Sequence, residues 1–339
     1  MLSTLKIRDF RCFDQFELRF QPGLNFIVGP NARGKTSLLE SACVLLRLQS
    51  PRVASLSRVL KYEKRGFVTD GHYNGRHLQF YYSKERKKLA LDAVEQKKAK
   101  EWLEIGRVVW FGNDDIELVR GGAEKRRRFL DFTAMQLDPV YRTELRAYEY
   151  SLRSRNHLLK ERRPAREIAA FDEPLLRHGD YVSAARRDLL LELGRDAAAE
   201  QQLLSLQREN LQLDFQPGDH GDFTKALELA RDEDLRLRQT TVGTHRDDVR
   251  FSLNGISTDD ASEGQQRSLV LALKLGAARL IERRFGNPPL LLMDDIFGEL
   301  DIHRRNALLA ALPQDAQAII TTTHLDWVES PDATRVLQL

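Results

Sequence analysis

The stretch Gly29-Pro30-Asn31-Ala32-Arg33-Gly34-Lys35-Thr36 constrains this chain more than any other feature. It fits G-x-x-x-x-G-K-[ST]. It lies between a continuous apolar run, Leu24 to Val28, and an amphipathic segment from about Lys35 to Leu48. A central strand that turns through glycines into a helix points its backbone N–H groups at one spot. There they can surround phosphate oxygens, with Lys35 reaching the β- and γ-phosphates and the helix N-terminus adding partial positive charge. The Thr36 hydroxyl is the group such a site offers to Mg²⁺. The bland alternative is a strand–turn–helix with a lone lysine, and the flanking strand and helix argue against it. The stretch is a phosphate site.

Two further motifs bear on the same chemistry. Leu290-Leu291-Leu292-Met293-Asp294-Asp295 is a buried strand ending in carboxylates, which delivers acid to the edge of a parallel sheet, where ligands bind. Asp294 is placed to hold Mg²⁺, and Asp295, one residue on, to orient an attacking water. Ser262-Glu263-Gly264-Gln265-Gln266-Arg267 opens a helix running to about Arg284, with Leu269, Leu273, Ala277 and Leu280 as its apolar stripe. Ser262 is a natural N-cap. Alone, that segment reads as a capped helix. Beside a phosphate loop it is a second anion-binding helix start, including Gly264 and Gln265, for which one nucleotide has no need.

The rest of the chain supplies the frame. Leu5 and Ile7 alternate with Lys6 and Arg8, and Phe16, Leu18 and Phe20 with Glu17 and Arg19, predicting two half-buried strands. Asn74-Gly75 and Asn254-Gly255 predict tight hairpins. A strand is expected over about 105–111. From about Ala123 to Gln212 the composition turns to Arg, Leu, Glu and Ala, which favours helices, cut by Pro139, Pro164 and Pro174. Strand patterns return from about Leu213. The expected organisation is an α/β domain built from residues 1–120 and 213–339, with a helical insertion over 121–212. With 53 Lys+Arg against 50 Asp+Glu, net charge does not announce a nucleic-acid binder, so a basic surface must come from local clustering. Cys12 and Cys43 fall in apolar-patterned segments and are read as small core hydrophobes. No apolar run reaches the roughly 18 residues of a membrane span. The first strand pattern begins almost at once, so a cytoplasmic protein with no membrane partner is expected.

The order of the three motifs resembles the ATP-binding-cassette superfamily, in which the signature helix completes the ATP site of the opposite subunit. Glu299-Leu300-Asp301 follows at the spacing of that family's D-loop, and Thr321-Thr322-Thr323-His324 ends a strand near its switch histidine, offset by one residue. Within the superfamily the chain is similar to the RecF family, related to Rad50 and the chromosome-maintenance ATPases. That likeness rests on Leu5-Lys6-Ile7-Arg8-Asp9-Phe10-Arg11, Val109-Trp110-Phe111 with Asp114-Asp115-Ile116, and Arg126-Arg127-Arg128-Phe129-Leu130-Asp131. It continues through Gly243-Thr244-His245-Arg246-Asp247-Asp248, Gly264-Gln265-Gln266-Arg267 and Asp294-Asp295. Family members usually have Gly at the position of Ala32 and Pro at that of Thr244. If position 32 takes a positive φ, alanine there costs on the order of 1 kcal/mol, which predicts weaker nucleotide binding than in a chain with glycine.

The resemblance implies an ABC-ATPase-like, Rad50/SMC-head-like P-loop domain with an inserted α-helical subdomain. It implies ATP and Mg²⁺ as cofactors, Lys35, Asp294, Asp295 and His324 as catalytic residues, and an ATP-dependent homodimer. It also implies slow, DNA-stimulated hydrolysis, DNA as partner in double-stranded, gap or junction form, and RecO- and RecR-like mediators that help load RecA at single-strand gaps. Phosphate contacts dominate DNA affinity, and residues 153–166 hold Arg153, Arg155, Lys160, Arg162, Arg163 and Arg166 against one acid, Glu161. These six are the candidate DNA contacts. Lys125–Arg128 and residues 84–100 are also basic, with solvated faces or structural ion pairs as the plainer readings. The alternative is the ATPase subunit of a membrane transporter, which would carry a short helical lobe for docking on a membrane partner and no long basic insertion. A kinase is a third reading, disfavoured because it has no use for a second subunit's phosphate clamp.

Overall fold

The structure, a computed structural model, describes residues 1–325 and 335–339. The chain begins with β1 (Leu2–Phe10), β2 (Phe13–Arg19), β3 (Leu24–Val28), α1 (Lys35–Arg47), β4 (Gly66–Tyr73), β5 (Arg76–Ser83), β6 (Lys87–Leu91), β7 (Val94–Gln96), α2 (Lys100–Ile105) and β8 (Val108–Gly112). It continues through α3 (Glu117–Arg120), α4 (Ala123–Leu137), α5 (Tyr141–Lys160), α6 (Ala165–Ala169), α7 (Asp172–Leu204), β9 (Leu211–Gln216), α8 (Phe223–Leu229), α9 (Arg231–Leu237), β10 (Asp248–Leu253), β11 (Ile256–Ser257) and α10 (Glu263–Phe285). β12 (Leu290–Asp294), α11 (Ile302–Ala311), β13 (Ala318–Thr322) and β14 (Arg335–Gln338) complete it. These elements gather into two compact units, Met1–Asp115 with Ala277–Leu339, and Ile116–Gly276.

The first unit holds two sheets. The antiparallel one runs β2-β1-β4-β5-β6-β7. In β1, Leu5 and Ile7 are buried and Lys6 and Arg8 exposed, as period-two alternation demands of a strand with one covered face. Asn74 and Gly75 make the β4–β5 turn with φ of 50° and 77°, the left-handed pair a two-residue hairpin needs. The other sheet is parallel, in the order β14-β3-β13-β12-β8. β8 and β12 read as apolar runs up to their last residue because both faces are covered. Its register lines up Val28 with Thr322, Thr321 with Asp294, and Asp294 with Gly112, so the carboxyl ends of β3, β13, β12 and β8 finish at one level.

The second unit packs α5 against α7 around Tyr148, Leu175, Phe223 and Leu227. Pro139 and Pro164 fall between helices, but Pro174 sits in the first turn of the 33-residue α7 and breaks nothing, since its missing N–H has no partner there in any case. The antiparallel sheet β11-β10-β9 belongs to this unit, where β9 lies on α7 and β10 on α4. The unit boundaries therefore fall at 115/116 and 276/277, whereas composition put them at 120/121 and 212/213. Strand-forming residues between 213 and 257 pack on the helices, a tertiary outcome that composition does not carry. The strand expected over 105–111 begins only at Val108, because Lys100–Ile105 closes as a helix whose Trp102 donates Nε1–H to the Leu45 carbonyl at 2.8 Å.

Candidate functional site

The site lies where the parallel strands of the first unit end. After β3 the chain turns through Gly29–Gly34, with Ala32 at φ 65° and Gly34 at φ 94°. Left-handed residues within such a turn swing successive N–H groups to one side, the concave nest that accepts anions. The expectation for Ala32 is thus met at a positive φ, in a region where an L side chain is strained. Gly34 has a second reason to be glycine. A Cβ there would stand 2.6 Å from Phe13 Cζ and 2.7 Å from Cys12 Sγ, so the Cys12–Phe13 turn closes directly on the loop.

Lys35 is almost fully buried. Its Nζ donates to the carbonyls of Gly29 at 2.6 Å and Pro30 at 3.0 Å, curling the side chain back over the loop. Thr36 donates its hydroxyl to Asp294 Oδ1 at 2.8 Å. Thr321, at the end of the intervening strand β13, donates to the same oxygen at 2.9 Å and accepts the Asp295 N–H at 3.0 Å. Burial pushes the Asp294 carboxyl up from its usual range, while the Thr36 and Thr321 hydroxyls pull it back by stabilising the anion. Asp295 takes a left-handed conformation, φ 53°, which turns it away from the strand axis. A cavity of about 560 Å³ is lined by Asn31, Ala32, Gly34, Lys35, Thr36, Ser37, Asp294 and Asp295.

Besides Ser37, four residues that pattern reading did not assign to the site complete the wall: Arg11, Cys12, Arg58 and Leu60. Arg11 is held by the buried Glu40 of α1 through two bonds of 2.8 Å, from Nε and Nη2, and donates Nη1–H to the Arg58 carbonyl at 2.9 Å. A fully buried glutamate on the helix that follows the loop was the available signal, since a carboxylate so placed requires a cation. Cys43 is buried, as expected; Cys12 is exposed on the cavity wall, which corrects its reading as a core residue. It sits in the turn between β1 and β2, outside the alternation that buries every second strand residue.

His324 is exposed, with Nδ1 2.9 Å from the Thr323 hydroxyl, and it is not among the cavity-lining residues. In the D-loop segment, Asp301 caps α11 by accepting the Arg304 N–H at 2.9 Å. Ser262, Gly264 and Gln265 lie in the second unit. Ser262 Oγ accepts the Gln265 N–H at 3.3 Å and Gln265 Oε1 accepts the Ser262 N–H at 2.8 Å, a reciprocal capping box that fixes the start of α10. Gln265 Nε2 donates to Glu209 at 3.0 Å and the buried Gln266 accepts from Arg120 at 2.7 Å, so the helix start is anchored while Ser262 stays exposed.

Of the six basic candidates in the same unit, Arg155 is corrected. It is 2% exposed and bonds Asp172 at 2.9 Å, Asp234 at 2.6 Å and the Thr240 hydroxyl at 2.9 Å, leaving nothing for an outside phosphate. Arg153, Lys160, Arg162, Arg163 and Arg166 are exposed. Of the other basic run, Arg126 bonds Asp248 at 2.6 and 3.0 Å and Arg127 the Asp247 carbonyl at 2.7 Å; both are structural.

The chain is similar to known proteins over nearly its whole length. The DNA replication and repair protein RecF of Agathobacter rectalis is 34% identical over 337 residues, 96% of this chain and 93% of that protein. RecF of Streptococcus suis is 32% identical over 353 residues, 100% of this chain and 97% of that protein. The chain belongs to the RecF family. Residues 4–108 also match the AAA domain family AAA_23. Among solved structures, the recombination mediator protein RecF-ATP in the RecFOR pathway matches with TM-score 0.86 and 28% identity, covering 97% of this chain and 93% of that one. An Smc head bound to the C-winged helix domain of ScpA, at 14% identity and TM-score 0.54 over 96% of this chain and 90% of that one, shares the fold alone. The RecF-family fold is thus an ABC-ATPase-like α/β fold of the SMC-head kind, as the motif order implied.

Proposed function

We propose that this RecF-family chain is an ATP-dependent DNA clamp of replication and recombinational repair, in which two copies close over ATP and slow hydrolysis opens them. The observation that carries the reading is the Thr36–Asp294 pair, 2.8 Å apart beside the buried Lys35 on the cavity wall. One hydroxyl and one carboxylate are hard oxygen donors in the number Mg²⁺ takes from a protein when phosphates and waters supply the rest. Among the described residues no cluster of three or more His, Cys, Asp or Glu offers an all-protein metal cage, which suits the same division. ATP fits the loop because Ala32 and Gly34 already hold the nest conformation. Bound there, Mg·ATP would supply the labile γ-phosphoryl group.

The chain's own residues then divide the work. Lys35 leaves its carbonyl partners for phosphate oxygens, and Thr36 and Asp294 hold the cation. Asp295, turned off the strand, orients the attacking water, and His324 contacts the γ-phosphate. Ser262, Gly264 and Gln265 of a second copy cover the triphosphate, so ATP joins the two. The exposed basic residues from Arg153 to Arg166 meet DNA phosphates without reading sequence, on duplex, gap or junction DNA. RecO- and RecR-like mediators are the expected partners, and the cytoplasm the expected compartment. Family membership favours this over the transporter ATPase; no described helix is long and apolar enough to cross a membrane.

The test is light scattering with nucleotide titration. Lys35→Met should lose ATP binding and dimerisation together. Ser262→Arg should keep monomer ATP binding and lose the dimer. Loss of monomer binding in Ser262→Arg, or an ATP-independent monomer that ignores DNA, would reject the clamp.

A further inference from the structure

Helix α5 carries a basic stripe that the clustering of charge in sequence does not pick out. With 100° between successive residues, Arg142, Arg146, Arg153 and Lys160 fall within roughly 40° of arc along some 27 Å of helix. Three of these four are exposed and Arg142 is half-buried. Among the described residues Arg142 and Arg146 have neither an ion pair nor a side-chain hydrogen bond, although the helix holds two carboxylates. Glu144 is taken by His178 Nδ1 at 2.6 Å, and Glu149 lies 3.5 Å from Arg153.

Several other surface arginines are matched to an acid one turn away: Arg163 to Glu167 at 2.9 Å, Arg236 to Glu233 at 2.5 Å, Arg267 to Glu263 at 2.9 Å. Two arginines at i and i+4 repel and weaken a helix by a few tenths of a kcal/mol. A half-buried guanidinium with no acceptor also loses solvation that nothing internal replaces. Arg142 is accordingly pushed down to about 10, first by its removal from water and then by Arg146. A folded chain that leaves this pair uncompensated is suited to receive an anion from outside.

We infer that Arg142 and Arg146 bind adjacent phosphates of one DNA strand, at one end of an α5 stripe that runs through Arg153 and Lys160, with Arg162 in the turn beyond it and Arg166 in α6. The inference rests on the DNA-clamp reading and extends it from the basic tip of the helix to its first turns. A straight row of cations along a helix fits a phosphodiester backbone, which carries one charge per about 3.4 Å of duplex axis on each strand. A single acidic side chain of a protein partner would occupy only one end of it. The contact is to backbone, so it carries no sequence preference.

The test uses the full chain with ATP and a fluorescein-labelled DNA duplex, read by anisotropy across a salt series. Arg142→Gln with Arg146→Gln should weaken binding by about tenfold or more and make the plot of log affinity against log salt shallower by about 2, one phosphate for each arginine. Arg142→Lys with Arg146→Lys should restore the slope, and Arg146→Gln alone, fully on the surface, should remove about 1. DNA-free ATP hydrolysis and the melting temperature should stay at parental values, which separates lost contact from misfolding. A parental slope and affinity in the Gln variants, with the parent binding duplex, would overturn the inference and leave the clamp standing. A parent that binds no duplex at low salt with ATP would remove the clamp reading and this inference together.

Discussion

Replacing Gly34 by alanine puts a number on the loop geometry. At φ 94° an L residue is strained by about 1–2 kcal/mol. The new Cβ would meet Phe13 Cζ at 2.6 Å and Cys12 Sγ at 2.7 Å, closer than atoms can sit. The exposed Cys12 thiol can swing aside; the Phe13 ring must push its turn away, an overpacking cost of about 1–3 kcal/mol. The sum, roughly 2–5 kcal/mol, corresponds to a fall in Tm of about 4–20 °C for a cooperative unit of 150–250 residues. Fluorescent-nucleotide affinity should also fall by more than about tenfold, because 1.4 kcal/mol of displaced loop is already that factor. Introducing Phe13→Leu into the Gly34→Ala background relieves the collision but not the φ strain. It should recover about half of the lost stability, measured as a double-mutant cycle. A Gly34→Ala protein that melts with the parent, or a Phe13→Leu change that recovers nothing, would refute the loop–turn contact as the reason for glycine.

Asp295→Asn should bind ATP and accumulate as a dimer with hydrolysis reduced by about 10²-fold or more, since water orientation is lost while cation binding is kept; rapid turnover in that variant would take Asp295 out of the role. Arg155→Met should lower urea-denaturation stability by about 3–5 kcal/mol, because Asp234 would be left buried without its cation and Asp172 with Arg231 alone at 3.7 Å; unchanged stability with lost DNA binding would return Arg155 to the surface contacts. His245 accepts the Tyr148 hydroxyl at Nδ1, 2.7 Å, and donates Nε2–H to the Thr240 carbonyl at 3.0 Å, so the neutral ring is the bonded form. Burial holds its pKa down to about 4. The unfolded chain near pKa 6.5 takes up the proton first, so stability is complete above pH 6.5 and falls as pH drops toward 4, by up to about 3 kcal/mol. His245→Gln should flatten stability across that window; an equally steep loss in the variant would assign it to other groups.

What the sequence disclosed, and what it hid, follows from the range of the interactions. Gly29–Thr36, Lys35 and Asp294 were readable because a phosphate loop and a carboxylate-ended apolar strand are local patterns, and the parallel register that joins them follows from strand type. Asn74-Gly75 was readable because two left-handed residues in succession admit few others. Arg155 was not, since its partners Asp172 and Asp234 come from other helices and no count of neighbouring charges foresees them. Arg11 reaches the cavity only because Glu40, one helix away, holds it there. β9 and β10 carry strand patterns that look like the first unit's, and only packing on α7 and α4 assigns them to the second.

The composite site is tested most directly by mixing two inactive chains. Lys35→Met spoils the phosphate loop and Ser262→Arg the covering helix start, so neither homodimer should hydrolyse ATP. A mixed dimer places the intact loop of the Ser262→Arg copy under the intact Ser262 of the Lys35→Met copy. The account predicts that the mixture regains ATP-dependent dimers and a fraction of the parental ATPase rate. A mixture as dead as its components, or a Ser262→Arg chain fully active by itself, would contradict it.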